Sequence, residues 1–314
     1  MAYILLIIGF ILLVKGADYF VDGSSSIAQI FHIPTVIIGL TIVAFGTSAP
    51  EAAVSITAAL KGQNDIAMGN VIGSNIFNTL VVVGGCAMIK PLHVENSILK
   101  KDFPFSILVT VALFILGADV FFYGNIGNVL SRSDGLVLIL FFVIFIYSMI
   151  SSALKSEKKE EEQPPKYSLG KGILIALIGI VGIIVGGQLV VNSASDIAIS
   201  FGLSETLVGL TIVAVGTSLP ELVTSLVAAK KGDSDIAMGN VVGSNIFNIL
   251  LVLALSASIH PINVNILSIY DLIILLGISI LTYIFAWTKR SVGRVEGGIL
   301  VVLYILYMIY IIMR

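Results

Sequence analysis

The sequence is divided almost entirely into long, continuous apolar runs, and this feature limits the folds open to the chain. A run of about 20 apolar residues is what an α-helix needs to cross the hydrocarbon layer of a membrane. A membrane β-barrel is disfavoured, because its strands alternate apolar and polar residues over about ten positions. Only 11% of the residues are charged, against about 25% in soluble domains, so an ordinary soluble domain is excluded.

Hydropathy, with glycine, proline and charged residues as boundaries, predicts ten membrane-spanning helices. Their predicted ranges are 2–22, 34–60, 65–89, 103–122, 133–154, 169–191, 203–229, 235–259, 268–288 and 294–313. The beginning of the chain lacks a basic region and a cleavage site, so residues from Ala2 onward are predicted to be a retained span.

The basic residues predict the orientation, because cytoplasmic loops are enriched in Lys and Arg. With the N-terminus outside, thirteen of the seventeen basic residues fall on the cytoplasmic side. They are Lys90, Lys100, Lys101, Lys155, Lys158, Lys159, Lys166, Lys171, Lys230, Lys231, Lys289, Arg290 and Arg294. Both termini are therefore predicted to be extracellular. Segment 151–171, with mixed charge and two adjacent prolines, is predicted to be a flexible cytoplasmic linker.

An internal repeat is visible in two polar blocks. Residues 39–51, GLTIVAFGTSAPE, return as 209–221, GLTIVAVGTSLPE, with 11 of 13 positions identical. Residues 65–78, DIAMGNVIGSNIFN, return as 235–248, DIAMGNVVGSNIFN, with 13 of 14 identical, and the offset is 170 in both blocks. Packing alone does not require such identity of polar residues.

The repeat predicts the fold class. Each half holds five predicted spans, and an odd number makes the second half begin on the opposite side of the membrane. The chain is therefore predicted to be an all-α integral membrane protein of ten transmembrane helices in two inverted five-helix repeats. The first repeat would cover 1–150 and the second 172–314, joined by the linker at 151–171. In such folds, transporters place substrate and ion sites near the midplane, between the repeats.

The first polar block predicts a broken helix inside the membrane. Pro50 and Pro220 have no N–H, and the carbonyl four residues before each belongs to a glycine, which makes unwinding easy. Freed carbonyls inside a membrane need a partner. Glu51 and Glu221 follow directly, and two carboxylates brought together by symmetry repel unless a cation or a proton intervenes.

The second polar block supplies further oxygen donors. Ser74 and Asn78 are four residues apart and share a helix face, as do Ser244 and Asn248, and this face is predicted to line the site. Carboxylates, carbonyls and hydroxyls suit Ca²⁺ and Na⁺. The glycines of the block, which are Gly69, Gly73, Gly239 and Gly243, predict close helix approach.

Other interpretations remain open at this point. Intramembrane Ser, Thr and Asn often serve as hydrogen-bonding groups between helices rather than as ion ligands. A cation channel could use the same carboxylates as a selectivity element, and a structural membrane protein is a third class. A serine hydrolase is disfavoured, because no His or Lys lies at the depth of Ser48 or Ser218. Asp18 and Asp22, near a predicted span end, are interpreted as solvated or capping residues.

GTSAPE and GTSLPE, each followed by GN-x-x-GSNIFN, resemble the two alpha-repeats of the sodium/calcium exchangers of the cation/calcium antiporter superfamily, in their prokaryotic form. The resemblance covers both halves. It implies a secondary active antiporter, not an enzyme, that exchanges several Na⁺ for one Ca²⁺ by alternating access. The first helix of each repeat would be mobile.

The resemblance also implies ligands. The Ca²⁺ site would use the carboxylates of Glu51 and Glu221 and the carbonyls of Thr47 and Thr217. The Na⁺ sites would use both carboxylates and groups of eight further residues. These are Ala44, Ser48, Ser74, Asn78, Ala214, Ser218, Ser244 and Asn248.

One position bears on the coupling ion. Potassium-dependent members of the superfamily carry Asp where this chain has Asn248, so K⁺-independent exchange is expected. Proton-coupled members have a different first motif, which leaves H⁺ coupling and K⁺ dependence as alternatives. The expected partners are Ca²⁺, Na⁺ and the lipid bilayer of the plasma membrane. No cofactor, nucleic acid or protein partner is implied.

Overall fold

A computed structural model describes residues 2–124, 127–154, 164–202 and 214–313. The helices are α1 Ala2–Phe31, α2 Thr35–Thr47, α3 Ala49–Leu60, α4 Asn64–Ile89, α5 Phe103–Gly117, α6 Asp119–Tyr123, α7 Arg132–Leu154, α8 Leu169–Ser200, α9 Ala214–Gly216, α10 Leu219–Lys231, α11 Ser234–Ile259, α12 Ile266–Lys289 and α13 Arg294–Met313. The strands are β1 Leu92–His93, β2 Val129–Leu130, β3 Ile262–Asn263 and β4 Ser291–Val292.

The described residues contain seven helices long and apolar enough to cross a membrane, and an eighth crossing if α2 and α3 form one bent span. The predicted fourth span contains α5, which has 15 residues. The predicted seventh span contains α10, which has 13 residues, while its first part, 203–213, lies outside the described residues. An all-α membrane protein is therefore observed, and the count of ten and the inverted arrangement stay predictions.

Two helices run past their predicted ends. Helix α1 continues to Phe31 and α8 continues to Ser200. The hydropathy signal fades at Asp22 in α1, yet the helix continues, and Asp22 is paired with two lysines. Its carboxylate lies 2.6 Å from Lys166 Nζ and 2.6 Å from Lys231 Nζ. Residues 155–163, in the middle of the predicted linker, lie outside the described residues, whereas its two ends belong to α7, which ends at Leu154, and to α8, which begins at Leu169.

Helices α1 and α8 pack closely along one another through glycine. A Cβ built on Gly16 would lie 2.7 Å from the amide nitrogen of Ile183, and one on Gly179 would lie 2.5 Å from that of Phe20. Gly9 and Gly186 meet in the same way. Small residues let two backbones approach this closely, which favours van der Waals attraction between membrane helices.

Helices α4 and α11 form the centre of the molecule. Within their apolar windows 72% and 78% of the residues are buried, against 33% in α1. Gly239 and Gly243 of α11 lie against the carbonyls of Val36 and Leu40, at 2.9 and 2.6 Å from a built Cβ. At the equivalent glycines of α4, Gly69 and Gly73, no described atom lies within 4 Å of a built Cβ, so the predicted close approach there is not found among the described residues.

Short strands join loops of the two halves. Strand β1 pairs antiparallel with β4, and β2 pairs antiparallel with β3. The predicted topology puts the loops of the first pair on the cytoplasmic face and those of the second on the extracellular face. In the predicted topology, each strand pair therefore joins two loops on the same side of the membrane.

Candidate functional site

The helix is interrupted in both halves just before the repeated glutamate. Ser48, with φ −81° and ψ 4°, separates α2 from α3, and the two helices are bent by 50°. Ser218, with φ −90° and ψ 5°, precedes α10 in the same way. Pro50 and Pro220 occupy the first turn of the new helix, where the missing N–H is not needed.

Glu51 and Glu221 lie in the first turns of α3 and α10, and neither is exposed. Each accepts a hydrogen bond from a serine of the opposite half. Ser218 Oγ donates to Glu51 Oε1 at 2.9 Å, and Ser48 Oγ donates to Glu221 Oε1 at 3.0 Å. A helix N-terminus favours a negative charge, so helix and hydroxyl together offset part of the cost of burial.

Four buried oxygen atoms of the predicted ligand residues have no hydrogen-bond partner among the described residues. They are Glu51 Oε2, Glu221 Oε2, Asn78 Oδ1 and Asn248 Oδ1. A buried acceptor without a partner costs about 1–3 kcal/mol, and more when it is charged. The ion pairs found between described residues lie at helix ends, away from the two glutamates. A bound cation would satisfy these oxygens and neutralise the carboxylates.

Of the remaining predicted site residues, Ser74 and Ser244 lie close to the two glutamates. Ser74 Oγ donates to Glu51 Oε1 at 3.4 Å, and it lies 3.0 Å from Ser218 Oγ. In the other half, Ser244 Oγ lies 3.5 Å from Thr47 Oγ1. The carbonyl of Ala44 accepts the Ser48 N–H at 3.0 Å.

The threonine hydroxyls are hydrogen-bonded to asparagines of the opposite half. Thr47 Oγ1 donates to Asn240 Oδ1 at 3.0 Å, and Thr217 Oγ1 donates to Asn70 Oδ1 at 3.4 Å. Because both hydroxyls are engaged in hydrogen bonds to these asparagines, the main-chain carbonyls of the two threonines remain as possible ligand atoms. Ala214 begins α9, next to the undescribed range 203–213.

Asn70 and Asn240 have a role that the predicted ligand set did not include. Asn70 Nδ2 donates to the carbonyl of Glu51 at 3.2 Å and to Ser55 Oγ at 2.8 Å. Asn240 Nδ2 donates likewise to the carbonyl of Glu221 at 3.4 Å and to Ser225 Oγ at 2.9 Å. Each asparagine therefore fixes the helix that carries a glutamate. The sequence feature that indicates their importance is the repeat, since all of these polar residues recur in both halves at the same offset.

Helix α2 at Gly39–Val43, α4 at Asn78–Val82 and α11 at Asn248–Leu253 have π-helical hydrogen bonding. Short π-helical segments inside α-helices occur frequently at functional sites. Within the described ranges, no group of three or more His, Cys, Asp or Glu residues is placed to hold a metal ion. The donor set is therefore two carboxylates among neutral oxygens.

Fold and site together define a multi-pass α-helical membrane protein with a buried, acidic, oxygen-rich centre. The sequence model described as sodium/calcium exchanger protein matches residues 1–151 and 171–313. The chain belongs to the sodium/calcium exchanger family, whose members are antiporters and not a class of enzyme. The resemblance based on the two repeated motifs is thus confirmed.

Known proteins similar to this chain agree with that assignment. The putative antiporter CaxA of Alkalimonas amylolytica is 39% identical, over 98% of this chain and 97% of its own. The sodium/calcium exchanger MaX1 of Methanosarcina acetivorans is 31% identical, over 98% of this chain and 97% of its own. The solved structure of the sodium-calcium exchanger NCX_Mj, soaked with 10 mM Na⁺ and zero Ca²⁺, superposes with a TM-score of 0.85 at 33% identity, covering 98% of this chain and 97% of that one.

Proposed function

We propose that the protein exchanges Na⁺ for Ca²⁺ at one shared central site, by alternating access and without K⁺. The observation that carries the proposal is the pair of buried carboxylates, each with one oxygen that has no hydrogen-bond partner among the described residues. Protein oxygens that have no proton donor are suited to a hard cation. Membership in the sodium/calcium exchanger family supports Na⁺ and Ca²⁺ as the ions.

Charge explains why the two ions would compete. Two carboxylates neutralise one Ca²⁺, and Na⁺ ions bound in its place neutralise the same charge. An empty site would leave two buried carboxylates unpaired, which is costly inside a membrane. The site would therefore change its access only when loaded, which is exchange and not uniport.

The proposed ligands are those of the sequence prediction. For Ca²⁺ they are Glu51, Glu221 and the carbonyls of Thr47 and Thr217. For Na⁺ the two glutamates are joined by Ala44, Ser48, Ser74, Asn78, Ala214, Ser218, Ser244 and Asn248. Neighbouring hydrogen bonds support this set, since serines from both halves donate to the two carboxylates.

Alternating access would use α1 and α8 as one moving unit. Their glycine-mediated contact extends from Gly9 to Gly23, whereas α4 and α11 are the most buried helices and would form the static part. The inverted repeats 1–150 and 172–314, the cytoplasmic linker 151–171, the plasma membrane location and the extracellular termini belong to the same proposal. The strand pairs between the halves are compatible with that topology.

Potassium independence is proposed from Asn248. This residue is fully buried, and its Oδ1 has no partner among the described residues. An amide there supplies one ligand atom but no negative charge, so the site has one charge fewer than with Asp. A third carboxylate would favour an additional monovalent cation, which the neutral amide does not.

The decisive experiment measures radioactive Ca²⁺ uptake into proteoliposomes under separately imposed Na⁺, K⁺ and H⁺ gradients. Only the Na⁺ gradient should drive uptake, and K⁺ should change neither rate nor affinity. Glu51→Gln and Glu221→Gln should each abolish it. Glu296→Gln is the matched control, because Glu296 lies at the start of α13 with an ion-pair partner, Lys289, at 3.8 Å.

Two results would overturn the proposal. Uptake driven equally well by a proton gradient without Na⁺ would make the protein a proton-coupled carrier. Ca²⁺ flux that needs no counter-ion and shows single-channel conductance would make it a channel.

A further inference from the structure

A cluster of four asparagines crosses between α4 and α11, and only two of them belong to the proposed ligand set. Asn75 and Asn78 come from α4, and Asn245 and Asn248 come from α11. All four are buried, with at most 8% exposure. Their hydrogen bonds run between the halves and form two separate chains that each end at an unpartnered oxygen.

The first chain begins at Thr79. Its hydroxyl donates its single proton to the carbonyl of Asn75 at 2.8 Å, so Oγ1 can only accept a further hydrogen bond. It accepts one from Asn245 Nδ2 at 3.0 Å. The other amide atom, Asn245 Oδ1, then accepts from Asn78 Nδ2 at 3.3 Å. The Asn78 Oδ1 atom is left as the free end.

The second chain begins at a main-chain carbonyl, which is always an acceptor. The carbonyl of Asn245 accepts from Asn75 Nδ2 at 3.1 Å. Asn75 Oδ1 accepts in turn from Asn248 Nδ2 at 3.0 Å. Asn248 Oδ1 is left as the free end of this chain.

We propose that Asn75, Asn245 and Thr79 are positioning residues. They fix the orientation of the two ligand amide groups, so that the side chains of Asn78 and Asn248 turn their oxygen, and not their NH₂ group, toward the cation. The inference rests on the proposed function, because it assigns a task within the same cation site. Asn75, Asn245 and Thr79 are not themselves ligands in this proposal.

Amide polarity matters because the two ends of an asparagine side chain have similar shapes and opposite electrostatics. The oxygen attracts a cation, and the NH₂ group repels it. A reversed amide would fill the same space, so packing alone does not select the orientation. The fixed acceptor at the start of each chain makes that selection.

The two chains depend on different anchors, and this makes the inference testable. The repeat places Ile249 at the position equivalent to Thr79, so the second half has no corresponding hydroxyl. Loss of the Thr79 hydroxyl should therefore release Asn245 and Asn78 and leave Asn248 in place. Cation affinity should therefore fall, because one ligand amide is no longer oriented, while the rest of the site keeps its structure.

The test compares Thr79→Val, which removes the hydroxyl, with Thr79→Ser, which keeps it. Thr282→Val is the matched control, because Thr282 is equally buried and its hydroxyl bonds only the carbonyl of Ile278, at 2.8 Å. Two quantities are measured on purified protein. They are Na⁺-induced thermal stabilisation, which reports binding without transport, and the KM and maximal rate of Na⁺-driven Ca²⁺ exchange.

Thr79→Val should weaken Na⁺ binding and raise the KM for Na⁺ by about tenfold, as expected for one lost buried hydrogen bond. The maximal rate should change less than the KM. Thr79→Ser and Thr282→Val should bind Na⁺ like the wild type. In an Asn78→Ala background, Thr79→Val should have no further effect on Na⁺ affinity, because the group through which it acts is gone.

Three results would overturn the inference. They are an unchanged Na⁺ affinity in Thr79→Val, an equal loss in Thr282→Val, or an undiminished effect of Thr79→Val in the Asn78→Ala background. If Thr79→Val does not fold, Thr79→Cys replaces it, since its thiol is a weak acceptor of similar size and should give an intermediate affinity. Wild-type protein without Na⁺-driven exchange would instead refute the proposed function, and the Na⁺-binding series would still decide the role of Thr79.

Discussion

Glu51 illustrates how a carboxylate is held inside this protein. One of its oxygens accepts hydrogen bonds from Ser218 and Ser74, and the other has no partner among the described residues. Glu221 repeats the pattern with Ser48. The protein therefore stabilises each carboxylate only in part. The remaining stabilisation is expected to come from the bound cation, so that binding and stability are linked.

Sequence reasoning was effective for residues whose chemistry is unusual in a membrane. Two repeated glutamates and two repeated prolines predicted a broken helix and a buried carboxylate in each half, and both features are observed. It was weaker for Asn70 and Asn240, which the offset of the repeat marked as special but whose role depends on contacts. No spacing rule could show that Asn240 Nδ2 bonds a main-chain carbonyl and Ser225, because the partners come together only in the folded chain.

The first prediction concerns Asn240. Replacement by alanine should lower the free energy of unfolding by about 1–3 kcal/mol, because the Thr47 hydroxyl, the Ser225 hydroxyl and the Glu221 carbonyl all lose a buried partner. The measurement is the midpoint of thermal unfolding in detergent without Na⁺ or Ca²⁺. Asn192→Ala is the control, because Asn192 is exposed and bonds only exposed Gln188. Equal midpoints for the two variants would contradict this role.

Among the elements, helix positions followed from the sequence better than helix shapes. Glycine, proline and hydropathy predicted the break at Ser48 and the start of α3. They could not predict the π-helical segments at Asn78–Val82 and Asn248–Leu253, because a π turn depends on packing around it. They also ended α1 and α8 too early, because a fall in hydropathy marks the end of an apolar span and not the end of its helix.

The second prediction concerns the contact between α1 and α8. Gly179→Ala should destabilise the protein by about 1–3 kcal/mol, because the added methyl would meet the backbone of Phe20 and force the helices apart. Gly277→Ala is the matched control in α12, where no described atom lies within 4 Å of the built Cβ. There alanine should be neutral or stabilising, by up to about 1 kcal/mol, because it favours helix more than glycine does.

Thermal unfolding of both glycine variants in the same detergent checks the prediction. The Ca²⁺ exchange rate adds a second measurement, since α1 and α8 are proposed to move together. Gly179→Ala should lower the rate, whereas Gly277→Ala should leave it unchanged. Loss of stability in both variants, or in neither, would contradict a tight contact at Gly179.

At the scale of the whole molecule, the two halves have nearly identical polar blocks but differ in the charged residues outside them. Asp18 and Asp22 in the second half of α1 form an ionic cluster with Lys166 and Lys231, with each N–O distance 2.6 Å. The hydrogen bond to Asp22 raises the pKa of Lys166, so this lysine stays charged. The repeat places Gln188, Asn192 and Lys61 at the equivalent positions of the other half.

This difference can bias the equilibrium between the two access states. The cluster ties α1, a proposed moving helix, to α10 and to the end of the linker, on the face predicted to be cytoplasmic. At the equivalent place on the face predicted to be extracellular, Gln188 Nε2 donates to Asn192 Oδ1 at 2.7 Å within α8, and Lys61 forms no ion pair with a described residue. An ion pair that is formed in only one of the two access states stabilises that state relative to the other.

The third prediction is that Asp22→Asn, which gives α1 the residue found at the equivalent position of α8, reduces this bias. Partly exposed ion pairs contribute up to about 1 kcal/mol, so the ratio of apparent Ca²⁺ affinities at the two faces should change by up to about fivefold. High salt should reduce the wild-type bias in the same direction, because it screens the cluster. The measurement is Ca²⁺ affinity at each face in oriented vesicles. Glu296→Gln, which removes an ion pair of α13 with Lys289 on the same face, should leave the ratio unchanged; an equal shift in both variants would show that the cluster has no special part in the cycle.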